Sequence, residues 1–236
     1  MKGKKITKRI GKWRIGDYFR QFSIVVAGII VTFCGSDLIA EHARQKEVTA
    51  VMQFVKAELE HNKEELQNIQ NRITKEQQMS YYLTDCDFNV RQIPVDTLQK
   101  YILFVSSNSS FEYTSDALEV LKNSSLMQQI KDKKLLLDLV KTYDALQRVQ
   151  KTVSDFYNIK NDLLNKMSLS FSMNERKTQI NGTIYEVYEM ALKETTGMRN
   201  FSWIARGYFD DDLFPNTHQL LDDNIKSISR KYPSND

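Results

Sequence analysis

The stretch Gln21–Ile39, QFSIVVAGIIVTFCGSDLI, decides how the rest of the chain is read. From Gln21 to Ser36 it carries no charge. At about 1.5 Å rise per residue that run reaches roughly 24 Å as a helix, short of a hydrocarbon core of about 30 Å. Asp37, Leu38 and Ile39 close the gap, and they leave the Asp37 carboxylate at the boundary, where headgroups and water lower its cost. Phe22, Ile24, Val25, Gly28, Ile29, Ile30 and Phe33 form the apolar body of the expected membrane span. The competing reading is a buried core helix, because Phe22–Gly35 alone has the length of one.

The flanks separate the two readings. Residues 1–20 hold Lys2, Lys4, Lys5, Lys8, Arg9, Lys12, Arg14 and Arg20 against the single acid Asp17, a net of +7; the total of +3 leaves −4 for the remainder. A short basic tail directly before an apolar span is held in the cytoplasm and sends the following chain across. The expected placement is therefore a single pass through the inner membrane, with the N-terminus cytoplasmic and the C-terminal domain periplasmic. Trp13 and Tyr18 stand where interfacial aromatics belong. A cleaved signal fits poorly: Leu38-Ile39-Ala40 offers a small residue at one of the two positions such a site needs. Phe33 before Cys34 is a weak match to an acylation site.

With eight glycines and three prolines in 236 residues, the chain has few of the turn signals that an all-β domain requires. The expected fold is all-α: the transmembrane helix continues into an extramembrane antiparallel helical bundle. Its parts are a tail (1–20), the span (21–39), a juxtamembrane heptad helix (40–75), a helical domain (76–230) and a frayed tail (231–236). Beyond the span Cys86 is the lone cysteine, so no disulfide forms within that part and packing must hold it.

After the span, Val48, Met52, Val55, Leu59, Leu66, Ile69 and Ile73 recur at alternating spacings of four and three, with Asn62 in the one polar slot. This is a heptad seam with two readings. In a parallel two-stranded coil, Met52, Val55, Leu59, Asn62 and Leu66 face a second copy, Glu58 and Lys63 pair across the seam, and Asn62 fixes register. In a bundle of one chain, the same residues face the chain's own helices. Within the span, Gly28, Thr32 and Ser36 form a small-residue ridge suited to close helix approach, so a homodimer is a possible partner arrangement.

Beyond Ile73 the pattern breaks. Pro94 introduces a short helix from about Asp96 to Val105, Ser115-Asp116 opens another, and Lys131-Asp132 begins the longest periodic run. That run, with Leu136, Leu139, Tyr143, Leu146, Val149, Val153, Phe156 and Met167 on one face, reads as an antiparallel partner for the first helix. The basic tail, the AGIIVTF span, the EHARQKE helix and the segment FEYTSDALEVLKNSSLMQQIKDKKLLLDLVKTYDAL together resemble an uncharacterised family of single-span inner-membrane proteins of Gram-negative bacteria. Gly28, Phe111, Ala117, Leu121, Lys122, Ser124 and Tyr143 are the matching positions over roughly residues 10 to 165. A tryptophan after the span and a glycine after the L-K-S segment are features of that family; Leu38 and Ser125 stand near those places here. The resemblance implies location and fold and adds no chemistry.

In the last part, Asn181-Gly182 permits a small hairpin, but Ile184, Val187, Tyr188, Ala191 and Leu192 keep helical spacing and favour a helix. RNFSWIARGYFDDDLFPNTHQLLDD reads as an aromatic loop, with Asn216-Thr217 capping a final helix through Ile228. Trp203, Tyr208, Phe209 and Phe214 are candidates for a partner surface or for a plug at the bundle end.

The residues carry no recognisable catalytic kit. His42, His61 and His218 lack metal-site spacing, Asp210-Asp211-Asp212 lacks the glycine and distal glutamate of a calcium loop, and no nucleophile, phosphate or dinucleotide motif occurs. No catalytic residue, cofactor or metal is expected, and the chain is read as no enzyme. The basic tail beside a span meets anionic lipid before nucleic acid. The expected partners are the lipid bilayer and an unknown envelope protein. The expected role is a membrane-anchored helical interaction or scaffold protein, or alternatively a sensory ectodomain that signals through the span to a separate cytoplasmic partner.

Overall fold

A computed structural model of the chain describes residues 13–233, with side chains from residue 40 onward. Among the described residues the secondary structure is all helical, without a strand. Helix α1 (Trp13–Asp85) is continuous for 73 residues. It takes the apolar stretch and the heptad seam into one rod, because no glycine pair or proline interrupts residues 36–85. Among the residues whose side chains are described, no helix is long and apolar enough to cross a membrane. The Gln21–Ile39 stretch lies within α1 but outside those residues, and so do the span positions from Phe22 to Phe33 and the ridge Gly28, Thr32 and Ser36.

The heptad seam faces the chain's own interior. Met52, Val55, Leu59, Asn62 and Leu66 are fully buried, and Val48, Ile69 and Ile73 nearly so. Of the two readings of the seam this is the arrangement within one chain: these side chains pack inside their own bundle. The charges that would have paired across a dimer are used at home. Glu58 accepts from the Tyr143 hydroxyl and from the Ala117 amide, and Lys63 pairs with Asp222 at 2.6 Å. Asn62 accepts from the Thr114 amide and donates to its carbonyl, each at 2.8 Å.

The helix also runs past residue 75, to Asp85. The seam continues through Glu76, Met79, Ser80 and Leu83, all buried; the apparent end at Ile73 arises because Glu76 and Ser80 are polar. The helix stops where Asp87 and Phe88 take positive φ values of 50° and 60° and the Phe88 amide reaches back to the Leu83 carbonyl at 2.7 Å. An aromatic residue in that region is uncommon; the Phe88 ring lies under the Arg199 guanidinium at 5.3 Å.

Four legs make the bundle. From Phe88 the chain descends along α1 through α2 (Val95–Lys100), α3 (Leu103–Ser106), α4 (Asp116–Asn123) and α5 (Leu126–Gln129). Arg72 meets Leu103, Asn62 meets Thr114 and Glu58 meets Ala117 in turn. Helix α6 (Lys133–Ser170) rises again, capped by the Asp132 carboxylate on the Leu135 amide. The levels Glu58–Tyr143 and Glu76–Lys160 show that α6 runs parallel to α1. This corrects the expected antiparallel pairing, because the descending segment intervenes and makes the long helices diagonal.

At the far end α7 (Met173–Asn181), α8 (Ile184–Ala191) and α9 (Met198–Arg206) close the top. Ser172 and Thr183 open the first two with reciprocal caps to Glu175 and Glu186. Residues 198–206 are thus helix where an aromatic loop was expected. Helix α10 (Leu213–Lys231) then descends antiparallel to both long helices, with His218 meeting Gln70 and Asn224 meeting Thr142. It starts before Asn216-Thr217, and the Thr217 hydroxyl donates to the Leu213 carbonyl instead of capping. The chain is still ordered at Tyr232, whose carbonyl accepts from Gln53, where a frayed tail was expected from residue 231.

Leu59→Ala is expected to cost about 2–5 kcal/mol. Chemical denaturation at two protein concentrations checks it: a seam buried within one chain gives a midpoint independent of concentration, and a dimeric seam does not.

Candidate functional site

Two constellations stand out at the upper half of the bundle, one sealed and one exposed. The sealed one begins with Glu76, 1% exposed, whose carboxylate accepts from Lys160 Nζ at 2.8 and 2.9 Å and from Arg72 Nη2 at 2.7 Å. Lys160, fully buried, donates its third proton to the Leu103 carbonyl at 3.2 Å, and Arg72 reaches the same carbonyl at 2.9 Å. Phe104 and Tyr157 rings flank the ammonium at 5.4 and 5.9 Å. The cluster therefore joins α1, α3 and α6 through one anion and two cations.

Burial dominates its electrostatics. It pulls Lys160 down to about 8 against the favourable charge of Glu76, and it pushes Glu76 up against the opposing pull of Lys160 and Arg72. It also raises the Tyr157 hydroxyl, with Glu76 adding to the effect. Tyr157 Oη and Arg72 Nε are buried without a hydrogen-bond partner. The charged atoms of Glu76 and Lys160 are satisfied within the cluster. Below it, along α6, an open polar groove of about 730 Å³ is walled by Asn108, Ser109, Gln147, Lys151, Asp155 and Asn158 and backed by Phe111 and Tyr157.

Next to the cluster, Phe156 is the hub of an aromatic core. Its ring lies 5.2 Å from Phe201, 5.2 Å from Tyr208 and 5.0 Å from Phe209, and Phe209 lies 5.7 Å from Phe214. Phe209 and Phe214 are buried and Tyr208 is half-buried. Three of the four residues expected at a partner surface thus plug the bundle end, because the turn after α9 folds them back onto α6. Trp203 is the exception: it is 57% exposed.

Trp203 does not stand alone. Arg206, one turn on, places its guanidinium 5.3 Å from the Trp203 ring and 4.3 Å from the Tyr81 ring. Arg206 Nη1 is anchored on the Thr84 hydroxyl at 2.6 Å and on Asp85 at 3.5 Å. Ile204 and Tyr81 are exposed beside them. The result is an aromatic–arginine patch on α9 and the end of α1, fixed by cation–π and polar contacts, with the rings facing outward. Such residues anchor protein interfaces more often than others. The Trp203–Arg206 spacing is visible in the sequence, but Tyr81 comes from a helix more than a hundred positions earlier and leaves no local signal.

Among the described residues no group of three or more His, Cys, Asp or Glu is arranged to hold a metal ion. Asp210-Asp211-Asp212 forms the turn into α10, and Cys86 is a half-buried free thiol raised by burial. Comparison with protein-family models, curated proteins and solved structures finds no match to the chain.

Glu76→Leu strands two buried cations and is expected to cost about 3–5 kcal/mol, whereas Lys160→Met leaves Glu76 bonded to Arg72 and costs less. Urea denaturation at neutral pH ranks the two. Because folding holds Lys160 at about 8, below its ordinary 10.5, the unfolded chain binds more protons between those values. The stability of the wild type relative to Lys160→Met therefore rises with pH across that window.

Proposed function

We propose that the protein is a membrane-anchored helical interaction module, with Gln21–Ile39 as its single span, its basic tail in the cytoplasm and its bundle on the periplasmic side. The observation that carries this reading is α1 itself. One helix leads from an apolar, uncharged stretch behind a +7 tail into the seam of a folded bundle, so the stretch is attached rigidly to the domain that follows. The Trp203–Arg206–Tyr81 patch, at the end of the bundle away from the span, is where the module meets an envelope protein. No homodimer through the heptad seam belongs to this reading.

A sensory ectodomain is a second reading, favoured by the same unbroken helix: displacement at the far end is carried along α1 without a hinge. In that reading the signal passes through the span to a separate cytoplasmic partner.

Fractionation and protease accessibility test the placement. The full chain is expected in the membrane pellet after alkaline wash, with residues beyond 40 digested in opened spheroplasts. A freely soluble product, or protection of the C-terminal half, overturns it. For the patch, Trp203→Ala and Arg206→Glu are each expected to weaken partner binding by about 2 kcal/mol or more, read from the yield of a photocrosslinker placed at Ile204, with helicity unchanged.

A further inference from the structure

Helix α7 has no hydrophobic reason to lie where it does. It buries none of its residues; polar contacts fix it instead. Ser172 and Glu175 cap each other, Lys193 pairs with Glu175, and Arg176 donates to the Ser168 carbonyl at 3.2 Å. These bonds hold the Glu175 carboxyl down to about 2, so the acid on α7 is already neutralised by a partner. Meanwhile Met173 and Ile180 are 74% and 80% exposed, and Leu169, just before the helix, is 83% exposed. Met173, Lys177 and Ile180 share one face, four and then three residues apart. Arg176 and Lys177 are exposed on the same helix, and Lys166 is exposed three residues before Leu169.

We propose that this face docks onto the surface of an anionic bilayer, with Leu169, Met173 and Ile180 inserting below the headgroups while Lys166, Arg176 and Lys177 meet the phosphates. Exposed aliphatic side chains gain by insertion below the headgroups, and neighbouring cations are drawn to anionic lipid. A second copy is disfavoured by charge, since joining two of these faces brings like cations together. A folded protein partner is disfavoured by shape. The apolar side chains of this face stand 74–83% exposed, and the polar groove runs along α6 and the 108–112 segment instead. A fluid bilayer needs no complementary recess.

The location adds a consequence. Helix α7 follows the upper end of α6, and α8, to which it is joined, bonds to Ile93 and Leu98 in the segment that follows α1, near its upper end. At about 1.5 Å per residue, the part of α1 after residue 40 carries it roughly 70 Å. The bilayer met by α7 is thus not the one holding the span; this clause rests on the proposed anchoring, whereas lipid contact does not.

The test uses the full chain in phosphatidylcholine nanodiscs, floated with vesicles of phosphatidylcholine alone or of phosphatidylcholine with phosphatidylglycerol. The expected result is co-flotation with the anionic vesicles only, reduced about tenfold or more both by Met173→Asp with Ile180→Asp and by Arg176→Glu with Lys177→Glu. Circular dichroism is expected to be unchanged, because all four positions are exposed. Wild-type discs that remain behind, or an apolar double variant that floats like the wild type, overturn the proposal; so do pairs of joined discs in place of vesicle binding. If the chain proves soluble without discs, the anchor reading fails, and the same flotation still decides the lipid contact.

Discussion

Glu76 places a carboxylate in the interior of the bundle, and the arrangement of three legs follows from what that charge requires. Out of water it demands counter-charge and hydrogen bonds at close range. Lys160 supplies both from α6, Arg72 from the turn below on α1, and Leu103 gives the cations a shared acceptor. The register of α6 depends on this more than on its apolar face. A slip of one heptad along α1 would set Val153 or Met167 opposite Glu76 and strand the carboxylate, and would also part Tyr143 from Glu58. Buried ion clusters add little net stability over a hydrophobic core; here the cluster discriminates between registers that hydrophobic packing treats alike.

The same residue shows how far local reading reaches. Periodicity locates the seam from Val48 to Ile73 and the face of α6, because 3.6-residue spacing is a property of the nearby sequence. Glu76 and Ser80 look like the end of that seam, since their compensation lies elsewhere: Lys160 is distant in sequence, and the Ser80 hydroxyl turns back to the Glu76 carbonyl. The direction of α6 was not legible either. An antiparallel partner and a parallel diagonal one present the same apolar stripe, and what decides between them is the descent of residues 86–132 along α1.

The candidate surface was legible only in part. A cluster of aromatics after residue 200 signals burial and binding equally, because both use large apolar rings. The fold separates them by the turn at Gly207. Phe209 and Phe214 swing back onto Phe156, while Trp203, on the other side of α9, is left outside with Arg206. Asn62 illustrates the reverse case. A polar residue in a seam suggests register control between two chains, yet its amide is spent within one chain on the backbone of Thr114.

The return of α10 to Gln53 and of the 131–132 turn to the level of Glu41 places the segment entering the bundle and the segment leaving it at its base. The upper end consists of the close of α1 and the internal crossings of residues 86–102 and 171–212, whose Phe201 and Phe209 rings pack on Phe156 while α7 buries no residue. Insertions or changes confined to α7 leave the shaft undisturbed, because none of its residues is buried. A lineage carrying this architecture can therefore change what its crown touches while keeping the stem constant, much as a tool keeps its handle and exchanges its bit.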